Sequence, residues 1–66
     1  MPSVRRQLRD LERRHDEGLR ELGAMALEMH RRSKFQMDVL EAHARELNEV
    51  ENEIRRLDPA RGDTHA

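Results

Sequence analysis

The chain has 66 residues, of which 41% are charged and 35% hydrophobic, with one aromatic residue and a net charge of −1 at pH 7. This composition permits one small domain and excludes disulfide frameworks, thiolate metal sites and thiol nucleophiles, because there is no cysteine. No stretch approaches the roughly twenty apolar residues of a membrane span, and the N-terminus lacks the apolar run of a secretory signal. We therefore expect a cytoplasmic protein with no membrane partner.

The first predicted element is a helix over about residues 3–31. It begins at Ser3, whose hydroxyl is expected to accept a hydrogen bond from an amide of the first turn. Apolar or small residues then recur at alternating steps of four and three, which is the period of one stripe along an α-helix. This stripe comprises Val4, Leu8, Leu11, His15, Gly18, Leu22, Met25 and Met29.

A second apolar face on the same helix comprises Leu19, Gly23, Ala26 and Leu27. Glycine costs a helix about 1 kcal/mol relative to alanine. Gly18 and Gly23 are therefore either neutral substitutions that the helix absorbs or places where a partner approaches the backbone closely. Because a helix that is apolar on two faces has two surfaces to cover, we predict that the chain forms an oligomer.

Basic and polar residues at positions 30–34 interrupt the apolar pattern. Ser33 and Gln36 match the S-x-x-Q capping box of a following helix, which predicts a turn over about residues 32–36 and a helix over about 37–57. This helix is expected to end before Pro59, because proline disfavours helix in the residue that precedes it. Residues 59–66 are expected to form a disordered tail. The second stripe comprises Leu40, Ala44, Leu47, Val50, Ile54 and Leu57.

The two stripes are compatible with an antiparallel hairpin or with one continuous helix that contains a four-residue stutter. Charge favours the hairpin. Residues 1–36 carry nine basic and six acidic side chains (+3), and residues 37–66 carry four and eight (−4). Such halves attract each other when they lie side by side. The hairpin would pair Met29 with Leu40, Met25 with Ala44, Leu22 with Leu47, Gly18 with Val50 and His15 with Ile54.

The predicted fold class is all-α, an antiparallel two-helix hairpin over residues 1–58. A lone hairpin of this size buries too little to offset its conformational entropy. Two copies are therefore expected to dimerise into a four-helix bundle through the second apolar face of the first helix. The predicted interface, within the hairpin and between copies, comprises Leu19, Leu22, Gly23, Met25, Ala26, Leu27, Met29, Leu40, Leu47, Val50 and Ile54.

The run Leu22-Gly-Ala-Met-Ala-Leu-Glu-Met-His-Arg-Arg32, followed by Lys34-Phe35, resembles the helical part of small bacterial proteins. In those proteins a helical hairpin precedes a C-terminal zinc ribbon. The resemblance covers about residues 5–57 and implies an interaction role with no catalytic residue. This chain departs from the family pattern because it has no cysteine and hence no ribbon.

Glu12 and His15 form an E-x-x-H pattern, which places a carboxylate and an imidazole on one side of a helix. Di-iron bundles use two such motifs together with further glutamates, and Glu51 or Glu53 is placed to approach from the second helix. With nine glutamates and four histidines in the chain, a chance match is easy. We therefore interpret His15 as a polar residue of the stripe and expect no metal and no cofactor.

An arginine-rich run at the start of the first helix suggests a different function, contact with the phosphates of a nucleic acid. The acidic residues nearby and the acidic second half, which can pair with these arginines, and the lack of an aromatic stacking platform argue against it. No Ser-His-Asp set or phosphate-binding glycine loop is present, so an enzyme is not expected. The sequence favours a non-enzymatic, self-associating interaction module, with a larger protein as a further candidate partner. The run comprises Arg5, Arg6, Arg9, Arg13 and Arg14.

Overall fold

The structure, a computed structural model, describes residues 3–60 and contains two α-helices, α1 (Val4–Arg31) and α2 (Met37–Leu57). The helices pack against each other in a hairpin that measures 45 × 29 × 15 Å. One continuous helix over the same residues would be about 80 Å long at a rise of 1.5 Å per residue. The two-helix hairpin is therefore confirmed, and the described residues contain no strand.

The start of α1 has the predicted cap. Ser3 has extended backbone angles, and its hydroxyl accepts a hydrogen bond of 3.1 Å from the amide of Arg6. The Ser3 carbonyl accepts a further hydrogen bond, also of 3.1 Å, from the amide of Gln7. The bond from Arg6 satisfies one of the amides that a helix start leaves without partners inside the helix, and the bond from Gln7 is the first of the regular helical series.

The end of α1 differs from the prediction. Ser33 has a φ of 53°, in the left-handed region. The amides of Ser33 and Lys34 donate hydrogen bonds of 3.0 Å to the carbonyls of His30 and Met29, respectively. These two bonds form a Schellman motif, which ends a helix. Ser33 therefore terminates α1 instead of capping α2, and the predicted capping box of Ser33 and Gln36 is wrong.

Gln36 is the residue at which α2 begins, and its side chain makes no capping hydrogen bond among the described residues. Its amide donates to the sulfur of Met29 at 3.5 Å, and its carbonyl accepts from the amides of Val39 and Leu40 at 3.1 and 3.2 Å. The turn is thus anchored to the end of α1 through Met29. Residues 61–66 of the predicted tail lie outside the described part of the chain.

The pairing of the helices differs from the predicted register by about one helical turn. Gly18 lies against Leu47, since a β-carbon at Gly18 would be 3.3 Å from Leu47 Cγ and closer still to Cδ2. His15 lies beside Glu51. The residue numbers of these two pairs sum to 65 and 66, whereas the predicted pair of Leu22 and Leu47 sums to 69.

The tight turn explains this shift. Met29 contacts Gln36 at the start of α2, so α2 starts its return path earlier than the predicted pairing of Met29 with Leu40 requires. The predicted partners Val50 for Gly18 and Ile54 for His15 are therefore displaced, since Gly18 lies against Leu47 and His15 beside Glu51. The predicted pairs Met29–Leu40, Met25–Ala44 and Leu22–Leu47 stay predictions.

The core between the helices is thin. Within the described residues, Met29 and Leu47 are the buried hydrophobic side chains, each 8% exposed, and no side chain is fully buried. On α2, His43 is half-buried and the predicted stripe residue Ala44 is exposed. Steps of three and four from Leu40 reach either residue, so the helical period alone does not distinguish them. Neither α1 nor α2 contains an apolar stretch long enough to cross a membrane.

Candidate interaction surface

Large apolar side chains lie in solvent along one side of the hairpin. On α1, Leu19 and Leu27 are 49% and 50% exposed. Gly23 lies between them, and apart from its two chain neighbours and the backbone of its own helix, no atom of the described residues is within 4 Å of the position that its β-carbon would occupy. On α2, Met37 is 61% exposed, and Ala44 is exposed as well. We define the open apolar face as Leu19, Gly23, Ala26, Leu27, Met37 and Ala44.

A contact between the helices shows that both contribute to this face. His15 Nε2 lies 3.7 Å from Glu51 Oε2. Leu19 follows His15 by four residues, and Ala44 precedes Glu51 by seven. Residues at these spacings lie on the same side of a helix. Leu19 and Ala44 therefore lie on the side of the hairpin where His15 meets Glu51.

The face continues to the turn through Phe35. This residue is 55% exposed, and its ring centroid lies 6.4 Å from that of His30 with an angle of 54° between the ring planes. A tilted arrangement at this distance is a favourable contact between two rings. His30 follows Leu19 by eleven residues, which is about three helical turns. Phe35 therefore lies at the turn end of the open apolar face.

The opposite side of the hairpin is an open groove of about 600 Å³ with a different chemistry. Its apolar floor includes Leu11, Leu47 and Val50 on either side of Gly18. Its rim is acidic, and we call this region the acidic groove. The rim residues are Glu17, Glu21, Glu46, Glu49 and Glu53, together with Arg14 and His43.

The sequence analysis did not identify the acidic groove, although a signal for half of it was present. Glu46, Glu49 and Glu53 follow one another at steps of three and four, which places them on one side of α2. What the sequence did not show is that Glu17 and Glu21 of α1 would lie on the same side of the hairpin.

The residues predicted to form an interface differ in how deeply they are buried. Met29 and Leu47 are buried between the helices. Leu19, Gly23 and Leu27 are exposed, and Ala26, next to them, is half-buried. The first group thus stabilises the hairpin, and the second does not pack between the helices. The remaining predicted residues are half-buried and belong to the stripes between the helices: Leu22, Met25, Leu40, Val50 and Ile54.

The metal candidates Glu12 and His15 do not assemble a metal site within one chain. Among residues 3–60, no three or more His, Asp or Glu side chains converge as a set of ligands. The structure brings Glu51 to His15 at 3.7 Å, whereas Glu53 makes an ion pair with Arg56 on its own helix. His15 is therefore a half-buried polar contact between the helices.

The arginines at the start of α1 point into solvent. Arg5, Arg6, Arg9 and Arg14 are exposed, and Arg13 lies 4.0 Å from Asp10, one turn before it. Two further ion pairs, Arg31–Glu28 at 4.0 Å and Arg32–Glu28 at 3.9 Å, also lie near the surface of α1. Exposed ion pairs within one helix contribute little to stability, so these pairs do not hold the hairpin together.

No protein-family model, curated protein or solved structure matches this chain. The resemblance to the helical part of zinc-ribbon proteins therefore stays a prediction that rests on one motif.

Proposed function

We propose that this protein is a non-enzymatic self-association module, a helical hairpin that pairs with a second copy to make a four-helix bundle. The observation that carries this proposal is the open apolar face, where Leu19 and Leu27 are each about half exposed on either side of Gly23. Contiguous apolar patches on the surface of a small protein mark sites of interaction. The bundle would have the two hairpins packed face to face.

A second copy is the partner that the thin core favours. Ordering the backbone costs about 1–2 kcal/mol per residue, and burial of Met29 and Leu47 alone offsets little of this across two helices. Small scaffolds that lack disulfides or metals gain the missing burial by oligomerisation. A second hairpin on the open apolar face would give each chain a second layer and a shared core.

The width of the hairpin fits this occupant. Two helices of 10–12 Å diameter that overlap over about 35 Å would cover roughly 700 Å² on each partner, including the polar side chains that border the open apolar face. A standard stable interface buries about 800 Å² on each partner. One side of the hairpin is therefore near the lower end of what a stable dimer needs.

Sedimentation equilibrium over a concentration series tests the proposal. We expect the wild-type chain to have twice its mass of 7.8 kDa, and the double variant Leu19→Lys/Leu27→Lys to have the mass of one chain. Buried lysines without partners oppose association because their charges would be desolvated. The matched control is Ala24→Lys/Ala42→Lys, which adds the same charge at exposed positions outside the face and is expected to remain dimeric.

Two results would contradict self-association. One is a wild-type mass of a single chain up to about 1 mM, where even an interaction of about −4 kcal/mol would be visible. The other is dissociation of the control variant to the same extent as Leu19→Lys/Leu27→Lys. If the wild type is monomeric, a larger protein becomes the remaining candidate for the open apolar face.

A second candidate function is contact with a nucleic acid, favoured by the exposure of Arg5, Arg6, Arg9 and Arg14. Binding through phosphates weakens steeply as salt is raised, because bound counterions are released. Fluorescence polarisation of labelled DNA and RNA at about 50 mM and 200 mM salt would detect this dependence. Absence of binding at the lower salt concentration would end this candidate.

A further inference from the structure

We infer that the two copies pack head to tail, with α1 of each chain antiparallel to α1 of its partner and the two-fold axis at Gly23. This inference rests on the proposed self-association and adds the orientation of the copies and their central contact. Three features of the hairpin support it: the position of Gly23, the polar residues at the two ends of the face, and the behaviour of Gly18 within the hairpin.

Gly23 lies midway between the two exposed leucines of α1, Leu19 and Leu27. Leu19 precedes it by four residues and Leu27 follows it by four, so a two-fold axis at Gly23 places Leu19 of each chain beside Leu27 of the other. Apart from its two chain neighbours and the backbone of its own helix, no described atom lies within 4 Å of the position that a Gly23 β-carbon would occupy. The axis therefore brings bare backbone against bare backbone and allows the leucines on both sides to interlock.

Gly18 is a second position in α1 where the lack of a side chain allows a neighbouring helix to pack closely. The space that its missing side chain leaves is occupied by Leu47, a buried residue of the neighbouring helix. Each glycine costs α1 about 1 kcal/mol of helix propensity relative to alanine. At Gly18 close packing with α2 offsets this cost. A partner helix at Gly23 would offset the second cost in the same way.

A polar pair fits the head-to-tail orientation. Asp16 precedes Gly23 by seven residues, and His30 follows it by seven. The axis therefore places the Asp16 carboxylate of one chain opposite His30 of the other, near Arg31 at the end of α1. An imidazole N–H can donate a hydrogen bond to a carboxylate, and a complementary polar pair across an interface favours one register.

The alternative symmetry has the two turns at the same end, with α1 of each chain over α2 of its partner. Facing residues of the hairpin have numbers that sum to about 65, as in Gly18–Leu47 and Met29–Gln36. Asp16 would therefore lie over Asn48 and Glu51 of the partner. The Asp16 carboxylate would then lie near the Glu51 carboxylate, and like charges that face each other across an interface are unfavourable.

The two arrangements differ in length. The described hairpin is centred about four residues from Gly23 along α1, so a head-to-tail partner is displaced by about eight residues, or roughly 12 Å. Added to the 45 Å length of one hairpin, this gives a dimer of about 57 Å. The turn-to-turn arrangement keeps the length near 45 Å. Small-angle X-ray scattering of the wild-type chain separates these values without any substitution.

Cysteine cross-linking is the direct test, because the chain has no cysteine of its own. In the variant Leu19→Cys/Leu27→Cys, the two sites of one chain are about 12 Å apart along α1. A disulfide needs Cα atoms within about 7 Å, so any bond between these sites joins two chains. We expect oxidation to convert most of the full-length protein to a covalent dimer, with peptide mapping showing a 19–27 link.

Two other variants complete the test. Leu27→Cys/Met37→Cys is expected to form no covalent dimer, because those positions meet between chains only in the turn-to-turn arrangement. Glu21→Cys lies on the rim of the acidic groove and is the control for random collision. It is expected to stay monomeric on a non-reducing gel.

The outcomes separate the two proposals. A wild-type chain that sediments as a monomer overturns self-association and the orientation together. A wild-type dimer near 45 Å in length, or covalent dimers from Leu27→Cys/Met37→Cys in place of Leu19→Cys/Leu27→Cys, overturns only the head-to-tail orientation. If a cysteine variant fails to fold by circular dichroism, the scattering length of the wild-type dimer still decides between the arrangements.

Discussion

Gly18 and Gly23 lie five residues apart in one helix, yet their surroundings are opposite. Leu47 of α2 fills the space beside Gly18. Beside Gly23, no described atom other than its chain neighbours and the backbone of its own helix lies within 4 Å of where a β-carbon would be. The same contrast holds for their neighbours, since Leu47 is 8% exposed and Leu27 is 50% exposed. The comparison shows that α1 has two apolar faces and that folding of the hairpin uses one of them.

The two faces also differ in how they are bounded. The face at Gly18 opens into the acidic groove, where glutamates of both helices surround a short apolar floor. The face at Gly23 continues over exposed apolar residues as far as Phe35 at the turn. A glutamate-lined groove is readily hydrated, whereas exposing an apolar face to water costs free energy. The second face is therefore the one that association would cover.

The largest expected effect breaks the contrast at Leu47. Leu47→Ala removes a buried side chain that fills the gap at Gly18, and we expect the free energy of unfolding to fall by about 2–5 kcal/mol. The control is Val4→Ala, which shortens an exposed apolar side chain outside the open apolar face. At the same protein concentration, the control is expected to lose no more than about 0.5 kcal/mol.

Urea unfolding followed by circular dichroism at several protein concentrations measures both variants. The concentration series is needed because association adds to the apparent stability of a dimer. Equal losses for Leu47→Ala and Val4→Ala at the same protein concentration would mean that Leu47 is not part of a buried core in the folded hairpin.

A smaller effect is expected from Gly18→Ala. The new methyl group would meet Leu47, whose Cγ would be 3.3 Å from it and whose Cδ2 would be closer. Overpacking costs typically about 1–3 kcal/mol and exceeds the gain of about 1 kcal/mol in helix propensity. We expect a net loss of roughly 1 kcal/mol, which the double variant Gly18→Ala/Leu47→Ala should partly recover because the two sites are in contact.

The same substitution at the second glycine should act with the opposite sign on the single chain. Gly23→Ala meets open space and is expected to stabilise the monomeric hairpin by up to about 1 kcal/mol. In the dimer it would separate the two α1 helices at the axis and weaken association roughly tenfold, or about 1.4 kcal/mol. Sedimentation equilibrium and urea unfolding of one preparation report both effects, and tighter association of Gly23→Ala would contradict close approach at this site.

The last prediction concerns Ser33, where the backbone conformation favours glycine but the chain has a serine. Ser33 has a φ of 53°, and the left-handed region costs a residue with a β-carbon about 1–2 kcal/mol. Ser33→Gly is expected to raise the free energy of unfolding by about 1 kcal/mol, whereas Ser33→Ala should give no such gain. A loss of stability in Ser33→Gly would restore the capping-box interpretation.

Much of the fold was accessible from the sequence because it depends on local chemistry. The period of the apolar residues predicted two helices and their stripes, and Ser3 was identified as the cap of α1. The turn was harder to interpret. Ser33 and Gln36 match a pattern for starting a helix, but a serine in the left-handed region can end one when the Schellman bonds compensate its cost.

The candidate site was accessible only in part. Leu19, Gly23, Ala26 and Leu27 were recognised because they repeat with the helical period outside the main stripe. The contributions of Met37 and Ala44 were not recognised, and Ala44 was assigned to the core. Whether His43 or Ala44 faces α1 depends on the rotation of α2 about its own axis. The helical period alone does not determine this rotation.

The sequence by itself determined which segments are helical, where α1 begins, and that α1 has two apolar faces, because each of these is set by residues within a few turns of one another. Only the tertiary structure decided the register of the two helices, the filling of Gly18 by Leu47 and the side on which each glutamate lies. These depend on how tightly residues 32–36 turn, and one turn of slippage exchanges every partner across the hairpin while leaving both helices intact.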